Sequence, residues 1–585
     1  MTSAPKRPQG GVDPLLTIAS KLVATLGRAG TRLGSPIALP SQRIRSEDET
    51  PFRSELFSAD QMEEHGKSLA AIHRLTDAKS PDRLLARLVE NEAVLVATCD
   101  LLTSAVKDNR RIVPAGEWLL DNFYLIDEQI RLAQRHLPKS YSRELPRLAQ
   151  GPSANLPRVY DLALETIAHA DGRVDTESLS RFIAAYQTTT PLKLGELWGI
   201  PIMLRLALIE NLRRVAARVG ASARDVKRAG DWADRMMSVA EEDPTNLILV
   251  VADMARSNPR LNSAFVSELA RRLQGQTPAL ALALSWIELR LSENGASIEQ
   301  MIQAETQRQA ADQVTIGNSI GSLRALASTD WREFVETMSV VEQKLREDPA
   351  DVYGRMDFAT RDHYRHVIER VARHARLPEA DIARKAVQLA HEAAAHNALE
   401  RTCHVGYFLL DARGVGILES ETDCRLPVID QLRRIGHQAP LTFYLGSILL
   451  ATAGFTSLVL GPLQDSSLTT ASLVALGIVI AIAGSQLASS IVNWIATLLA
   501  EPETLPKMDF ARGIPSGFRT LCVVPTMLTS VADVDALVEA LEVRFLANQD
   551  PNLHFGLLTD VRDALQETLD EDTALVERAT TASRL

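Results

Sequence analysis

Charge is missing from nearly all of the stretch between residues 441 and 500 of this 585-residue chain. Residues 441–463 carry none, residues 466–500 carry none, and only Gln464 and Asp465 lie between the two runs. At about 1.5 Å per residue, either run is long enough for a helix to cross a hydrocarbon core of about 30 Å. The absence therefore predicts a transmembrane helical hairpin. Lysine and arginine are also missing from its connecting loop, yet Arg425, Arg433 and Arg434 precede the hairpin and Lys507, Arg512 and Arg519 follow it. That asymmetry predicts that both flanks are cytoplasmic. The second run is longer than a perpendicular span requires, so its end, from Ser489 to Leu499 with Trp494, is expected to bend into the interface.

Other scarcities exclude other classes. The four cysteines, Cys99, Cys403, Cys424 and Cys522, are scattered without a CxxC spacing. They read as reduced thiols, forming neither a disulfide framework nor a metal site. The net charge is −11. No basic stripe is available to neutralise phosphates, which argues against a nucleic-acid partner. Lys6 and Arg7 are not followed by a compact apolar block, so no secretory leader is expected.

What remains is a chain with 46% hydrophobic residues, enough for several structural units. Residues 1–55, rich in Pro, Ser, Arg and Gly, read as a weakly ordered tail. Residues 56–400 show apolar positions spaced by three and four and predict a large cytoplasmic helical domain. Within it, residues 192–219 resemble a third span, but Glu196, Arg205 and Glu210 fall inside and predict a buried soluble helix with Pro201 in it. Residues 401–440 read as a β-hairpin and linker, with strands from Cys403 to Glu419 turning at Asp411 to Gly414. The hairpin then occupies residues 441–500.

Several candidate sites fail on spacing. His391, Glu392 and His396 suggest a zinc helix, but histidines five apart stand about 140° around a helix rather than on one face. Residues 169–177, HADGRVDTE, suggest a calcium loop, yet with Gly172 at its sixth position Ile167 falls where the first acidic ligand belongs. They read as an exposed turn between helices. Residues 317–321, GNSIG, lack the lysine and strand context of a phosphate loop. His363, His366 and His374 read as surface residues of a helix.

Residues 501–585 differ. TLCVVPT (520–526) is a short apolar run, a helical pattern follows from about Asp533 to Phe545, and LHFGLLTD (553–560) is a second apolar run. Strand, helix, strand is the unit that binds nucleotides at the carboxyl ends of its strands, which places Thr526 and Asp560 where a base or ribose is gripped. Asp533 and Asp563 read as helix-capping or first-turn acids.

The strings LPKMDFARGIPSGFRTLCVVPTMLTS (505–530) and LEVRFLANQDPNLHFGLLTDVRDA (541–564) resemble the start of the glycosyltransferase domain of bacterial cyclic β-1,2-glucan synthases. EWLLDNFYLIDEQIR (117–131), SRELPRL (142–148), PRVYDLALETIAHADGRVD (157–175), LGELWGIPIMLRLALIENLRR (194–214) and LREDPADVYGRMDFATRDHYR (345–365) are similar to the same family's N-terminal region. The resemblance implies an inner-membrane enzyme that uses UDP-glucose to build a cyclic β-1,2-glucan, and a mainly α chain ending in an incomplete, GT-A-like α/β segment. Pro525, Thr526 and Asp560 then line the nucleotide-sugar pocket. Mg²⁺ or Mn²⁺ is implied for the complete enzyme, with no ligand set in this chain and no catalytic residue to name. The DxD pair, the QxxRW acceptor motif and the later domains are expected outside the 25 residues that follow Asp560. The chain is accordingly expected to be an N-terminal piece, inactive alone, whose partners are the bilayer and the remaining synthase domains as a separate chain, with UDP-glucose and β-1,2-glucan as partners of the complete enzyme. The alternative is a membrane-anchored helical scaffold that recruits or regulates a catalytic subunit. Gln486 stands where the resemblance leads one to expect an acidic residue at the exit of the second span.

Overall fold

The computed structural model describes residues 50–582 except 53, 77–80, 82, 138–143, 397–399, 426, 428–438, 464–468, 500–504 and 567–568. The N-terminal tail, Arg433, Arg434 and the Gln464–Asp465 interruption lie outside the described residues. Helix dominates.

A first core gathers around one long helix. Helices α1 (Ala59–Ile72), α2 (Leu84–Lys107), α3 (Arg158–Ala168) and α4 (Thr176–Gln187) pack with the first half of α5 (Leu194–Glu242) and with α6 (Ile298–Ser328). Helix α5 is buried on nearly every side from Leu194 to Val219, with Pro201 within it. Three of its buried charges have named side-chain partners. Glu196 accepts two bonds of 2.6 Å from Arg158, Arg205 donates to Gln129 at 2.8 Å, and Glu210 accepts from Arg87, Tyr160 and Arg214. This helix is a soluble core element, as the charges inside it predict. Two short strands, β1 (Leu75–Thr76) and β2 (Arg147–Leu148), pair antiparallel. The second half of α5, through Ala229, Ala233, Met236 and Ala240, builds a separate core with the short helices between residues 247 and 292.

A third core holds Val341, Leu345, Tyr353, α7 (Phe358–His374), α8 (Glu379–Ala395), α9 (Val405–Leu410) and α10 (Ala412–Glu421). The β-hairpin expected over residues 403–419 is absent; the segment is two short helices. An apolar run such as VGYFLL fits a strand or a buried helix equally, and its surroundings decide. Asp348 accepts from the Val405 N–H at 2.9 Å and so fixes the start of α9, while Asp411 caps α10 by accepting from Arg413 N–H at 3.0 Å. Gly414 abuts the Tyr407 carbonyl with no room for a Cβ, so the two helices turn tightly on each other.

Helices α11 (Pro440–Leu460) and α12 (Thr470–Leu499) are both long and apolar enough to cross a membrane and are mostly exposed. They form an antiparallel pair. Tyr444 donates to Asn493 at 2.6 Å at one end, Phe455 packs over Gly484 in the middle, and Leu460 meets Gly477 at the other end. Helix α12 is continuous through Ser489–Leu499. Both flanks of the pair return to the third core. Arg425 N–H donates to the His374 carbonyl at 3.1 Å, Asp357 N–H to Lys507 at 2.9 Å and Asp509 N–H to Arg355 at 2.8 Å.

Last comes a strand, a helix and a strand: β3 (Thr520–Leu528), α13 (Val531–Ala547) and β4 (Leu553–Val561), followed by α14 (Asp570–Ala582). The strands pair in parallel over nine residues each, from Thr520 opposite Leu553 to Leu528 opposite Val561. Leu528, Val534, Leu575 and Ala579 close a small core between the sheet and the two helices.

Candidate functional site

The parallel register sets Pro525 opposite Leu558, Thr526 opposite Thr559 and Met527 opposite Asp560. All three anticipated residues therefore stand at the carboxyl end of the sheet. They share an end but not a face. Side chains alternate along a strand, so Pro525 and Asp560 look to the same side and Thr526, like buried Leu528, looks toward the helices. The side bearing Asp560 is uncovered and apolar, with Leu521, Val523, Met527 and Leu558 each at least half exposed.

The loops at this end are organised by hydroxyls and one arginine. Ser530 caps α13, its Oγ accepting from Asp533 N–H at 3.2 Å, and the Asp533 carboxylate accepts in turn from the Ser530 and Thr529 hydroxyls. Those two donors hold the Asp533 carboxyl below its ordinary range. Asp533 is thus a first-turn acid, as its spacing implies, whereas Asp563 lies in the loop after β4 and caps no helix among the described residues. Arg562, which carries no sequence signature, reaches across from β4 to donate to the Thr529 carbonyl at 2.9 Å. Asp560 is exposed, and its Oδ1 accepts from Val561 N–H at 2.9 Å.

A divalent cation does not fit these residues by themselves. Among the described residues, no trio of His, Cys, Asp or Glu ligand atoms gathers at Asp560. Asp570, Glu571 and Asp572 do spell an Asp-x-Asp after the second strand, where none was expected. They form the first turn of α14, where acids complement the helix dipole, and Asp572 accepts from Leu569 N–H at 2.8 Å. No metal step follows from them.

A second constellation lies at the edge of the first core. His65 on α1 places Nε2 2.9 Å from Oε2 of Glu165 on α3, and His169, one turn after Glu165, places its Nε2 3.3 Å from the same oxygen. The three ligand atoms all lie within 4.8 Å of one another. His65 reaches this position because Gly66 rests directly on α4. A Cβ there would stand 2.9 Å from the Phe182 carbonyl oxygen. His169 is fixed by Nδ1, 2.7 Å from the Glu55 carbonyl, and by Phe57, whose ring stacks on it at 3.8 Å. No metal site was expected from the sequence. The spacing of Glu165 and His169, four apart at the end of one helix, was the available signal; His65 comes from a different helix.

The remaining candidates are engaged elsewhere. His391 contacts the Glu347 carbonyl and His396 contacts the Glu392 carbonyl, each alone. Residues 169–175 form a tight turn, with Asp171 and Gly172 at positive φ. It is packed rather than exposed: the Thr315 and Ser322 hydroxyls and the Asn318 amide of α6 donate to it. Residues 317–321 lie inside α6.

No family model matches the chain. Over 534 residues, 90% of its length, it is 31% identical to the cyclic β-(1,2)-glucan synthase NdvB of Rhizobium meliloti (strain 1021). The chain spans 18% of the length of that relative.

Proposed function

Because this chain belongs to the cyclic β-1,2-glucan synthase family, we propose that it is the membrane-anchored N-terminal part of a glycosyltransferase that builds cyclic β-1,2-glucan from UDP-glucose. In this reading α11 and α12 span the inner membrane and both flanks lie in the cytoplasm. The support is chemical and geometric. Two apolar helices present their sides to the surroundings, basic residues flank them, and the chain on either side of them returns to one helical core. These observations support a reading in which both flanks face the same, cytoplasmic leaflet.

The nucleotide end of UDP-glucose is assigned to the carboxyl ends of β3 and β4. Asp560 accepts from a base or ribose hydroxyl, Pro525 supplies an apolar wall beside it, and Thr526 offers a hydroxyl from the other side of the same edge. Arg562 supplies positive charge at that edge, where a diphosphate collects. The observation that carries the assignment is the in-register parallel pairing that brings these strand ends together. The uncovered apolar side of the sheet is read as the surface on which the remaining synthase domains pack, because a two-stranded parallel sheet cannot stay dry on both sides by itself. Alone, the 585-residue chain is then inactive.

Membranes carrying the chain, alone and together with the sequence that completes the synthase, are given radiolabelled UDP-glucose. Label is expected in glucan only with the completing sequence, and Asp560→Ala is expected to remove it. Label with the isolated chain refutes inactivity, and label unaffected by Asp560→Ala refutes the nucleotide site. No label in either case favours a helical scaffold that recruits another enzyme.

A further inference from the structure

The geometry points to a site for a first-row divalent cation, of the class that zinc represents, held by His65 Nε2, Glu165 Oε2 and His169 Nε2. It is independent of glycosyl transfer and lies in the helical region.

The protonation of His169 carries the first step. Its Nδ1 is 2.7 Å from the Glu55 carbonyl oxygen, and a carbonyl can only accept, so Nδ1 bears a proton. In the neutral ring Nε2 is then a bare lone pair. It faces the Glu165 carboxylate at 3.3 Å, an acceptor opposite an acceptor. A shared proton or a cation has to stand between them. The same carboxylate oxygen also faces His65 Nε2 at 2.9 Å, so one cation satisfies all three groups at once.

Dimensions agree. Zinc held about 2.0–2.1 Å from nitrogen and oxygen ligands in a tetrahedron separates those ligands by about 3.3 Å. Two edges of the cluster measure 2.9 and 3.3 Å, and the third is at most 4.8 Å. Closing that third edge falls to the His65 ring, whose side chain is the more exposed, 23% against 10% for His169. Two imidazoles and one carboxylate are the ligand chemistry of zinc and its neighbours, and of neither magnesium nor calcium.

The surroundings are those of a metal ligand set. The Glu55 carbonyl on His169 Nδ1 is the outer partner that fixes a ligating tautomer. Phe57 stacked on the ring holds its plane, and Phe57 N–H donates to the His169 carbonyl at 3.1 Å. Glu165 is 30% exposed, so one side of the cluster opens to water, which would supply the fourth ligand of a bound cation. A bound cation ties α1, α3 and residues 54–57 together.

The test uses the full chain in detergent, stripped with a chelator, desalted and loaded with zinc chloride or cobalt(II) chloride. About one zinc per chain is expected after a second desalting. His65→Gln and His169→Gln are expected to weaken zinc by more than about 100-fold, the upper range for losing a mere outer partner. His391→Gln, on an unrelated exposed surface, is expected to change nothing. Zinc no higher than the detergent blank overturns the site, as does equal zinc in the His65 and His169 variants, and either result leaves a protonated histidine–carboxylate cluster in its place. Should either variant fail to fold, the cobalt spectrum of the unaltered chain decides. Intense bands of a low-coordinate nitrogen–oxygen site support the assignment, and the weak spectrum of aqueous cobalt overturns it.

Discussion

Glu196 and Glu210 lie on one helix, are both fully buried and both receive arginine, yet their loss should cost different amounts. Arg158, the partner of Glu196, is 2% exposed in its side chain, and its Nη1 already lacks a hydrogen-bond partner. Glu196→Ala leaves that guanidinium with its charge uncompensated and no route to water, a loss of about 3–5 kcal/mol. It also removes the acceptor for Lys193 N–H at the start of α5. Around Glu210 the arginines can be rehydrated, since Arg87 is 36% and Arg214 16% exposed. The main penalty of Glu210→Ala is the buried Tyr160 hydroxyl, about 1–3 kcal/mol. Glu196→Ala should therefore be worse by about 2 kcal/mol. At about 2–4 °C per kcal/mol for a domain of 150–250 residues, thermal midpoints should differ by several degrees. Differential scanning fluorimetry of the detergent-solubilised chain measures this, with Trp198 close to Glu196 as one reporter. The double variant Arg158→Met, Glu196→Leu removes both charges and should recover most of the loss. Equal midpoints for the two alanine variants, or a double variant no better than Glu196→Ala, would refute the reasoning.

Glu379 accepts from Leu194 N–H at 2.9 Å but is buried, and burial, with Glu369 and Glu196 nearby, raises its pKa. A carboxyl raised in the fold weakens stability as pH climbs above its unfolded value near 4.5, so Glu379→Gln should stabilise at pH 7 and give no gain below about pH 4 in a pH series of melting curves. Burial works against ionised Asp348 and Glu210 too, but His404 and Val405 N–H for the first, and Arg87, Tyr160 and Arg214 for the second, leave both pKa values lowered. Their stabilisation is present above the unfolded carboxylate value near 4 and is lost as pH falls through the folded one, so acid unfolding should begin below about pH 4 and start at higher pH in Asp348→Asn. Gly66→Ala gains about 1 kcal/mol of helix propensity but forces a Cβ against the Phe182 backbone, an overpacking cost of about 1–3 kcal/mol. It should lower the melting midpoint and weaken zinc retention together; an unchanged zinc stoichiometry with a lowered midpoint would separate the two effects. A chain retaining only exposed Cys522 should react with an impermeant maleimide in inside-out vesicles and not in right-side-out ones if the flanks are cytoplasmic.

Periodicity and charge made the helical body, the apolar hairpin and the strand–helix–strand end legible, because each depends on a pattern within one segment. The charges in residues 192–219 were as informative as the apolar positions: a helix that carries Glu196, Arg205 and Glu210 must supply partners for them, and it does. Residues 403–419 misled for the opposite reason. Nothing within VGYFLLDARGVGILE says that Asp348, more than fifty residues earlier, will cap the first helix, or that Gly414 will lie against the Tyr407 carbonyl. At the strand ends, sequence located Pro525, Thr526 and Asp560 on one edge but not the register, and register decides that Asp560 and Thr526 look to opposite sides. A nucleotide gripped by both must therefore lie across the edge of the sheet rather than on either side of it. That arrangement makes a further expectation specific: Thr526→Val should weaken nucleotide binding without disturbing Asp560, whose side chain lies on the other side of the sheet, and the double variant with Asp560→Ala should depart from additivity because both residues contact one ligand.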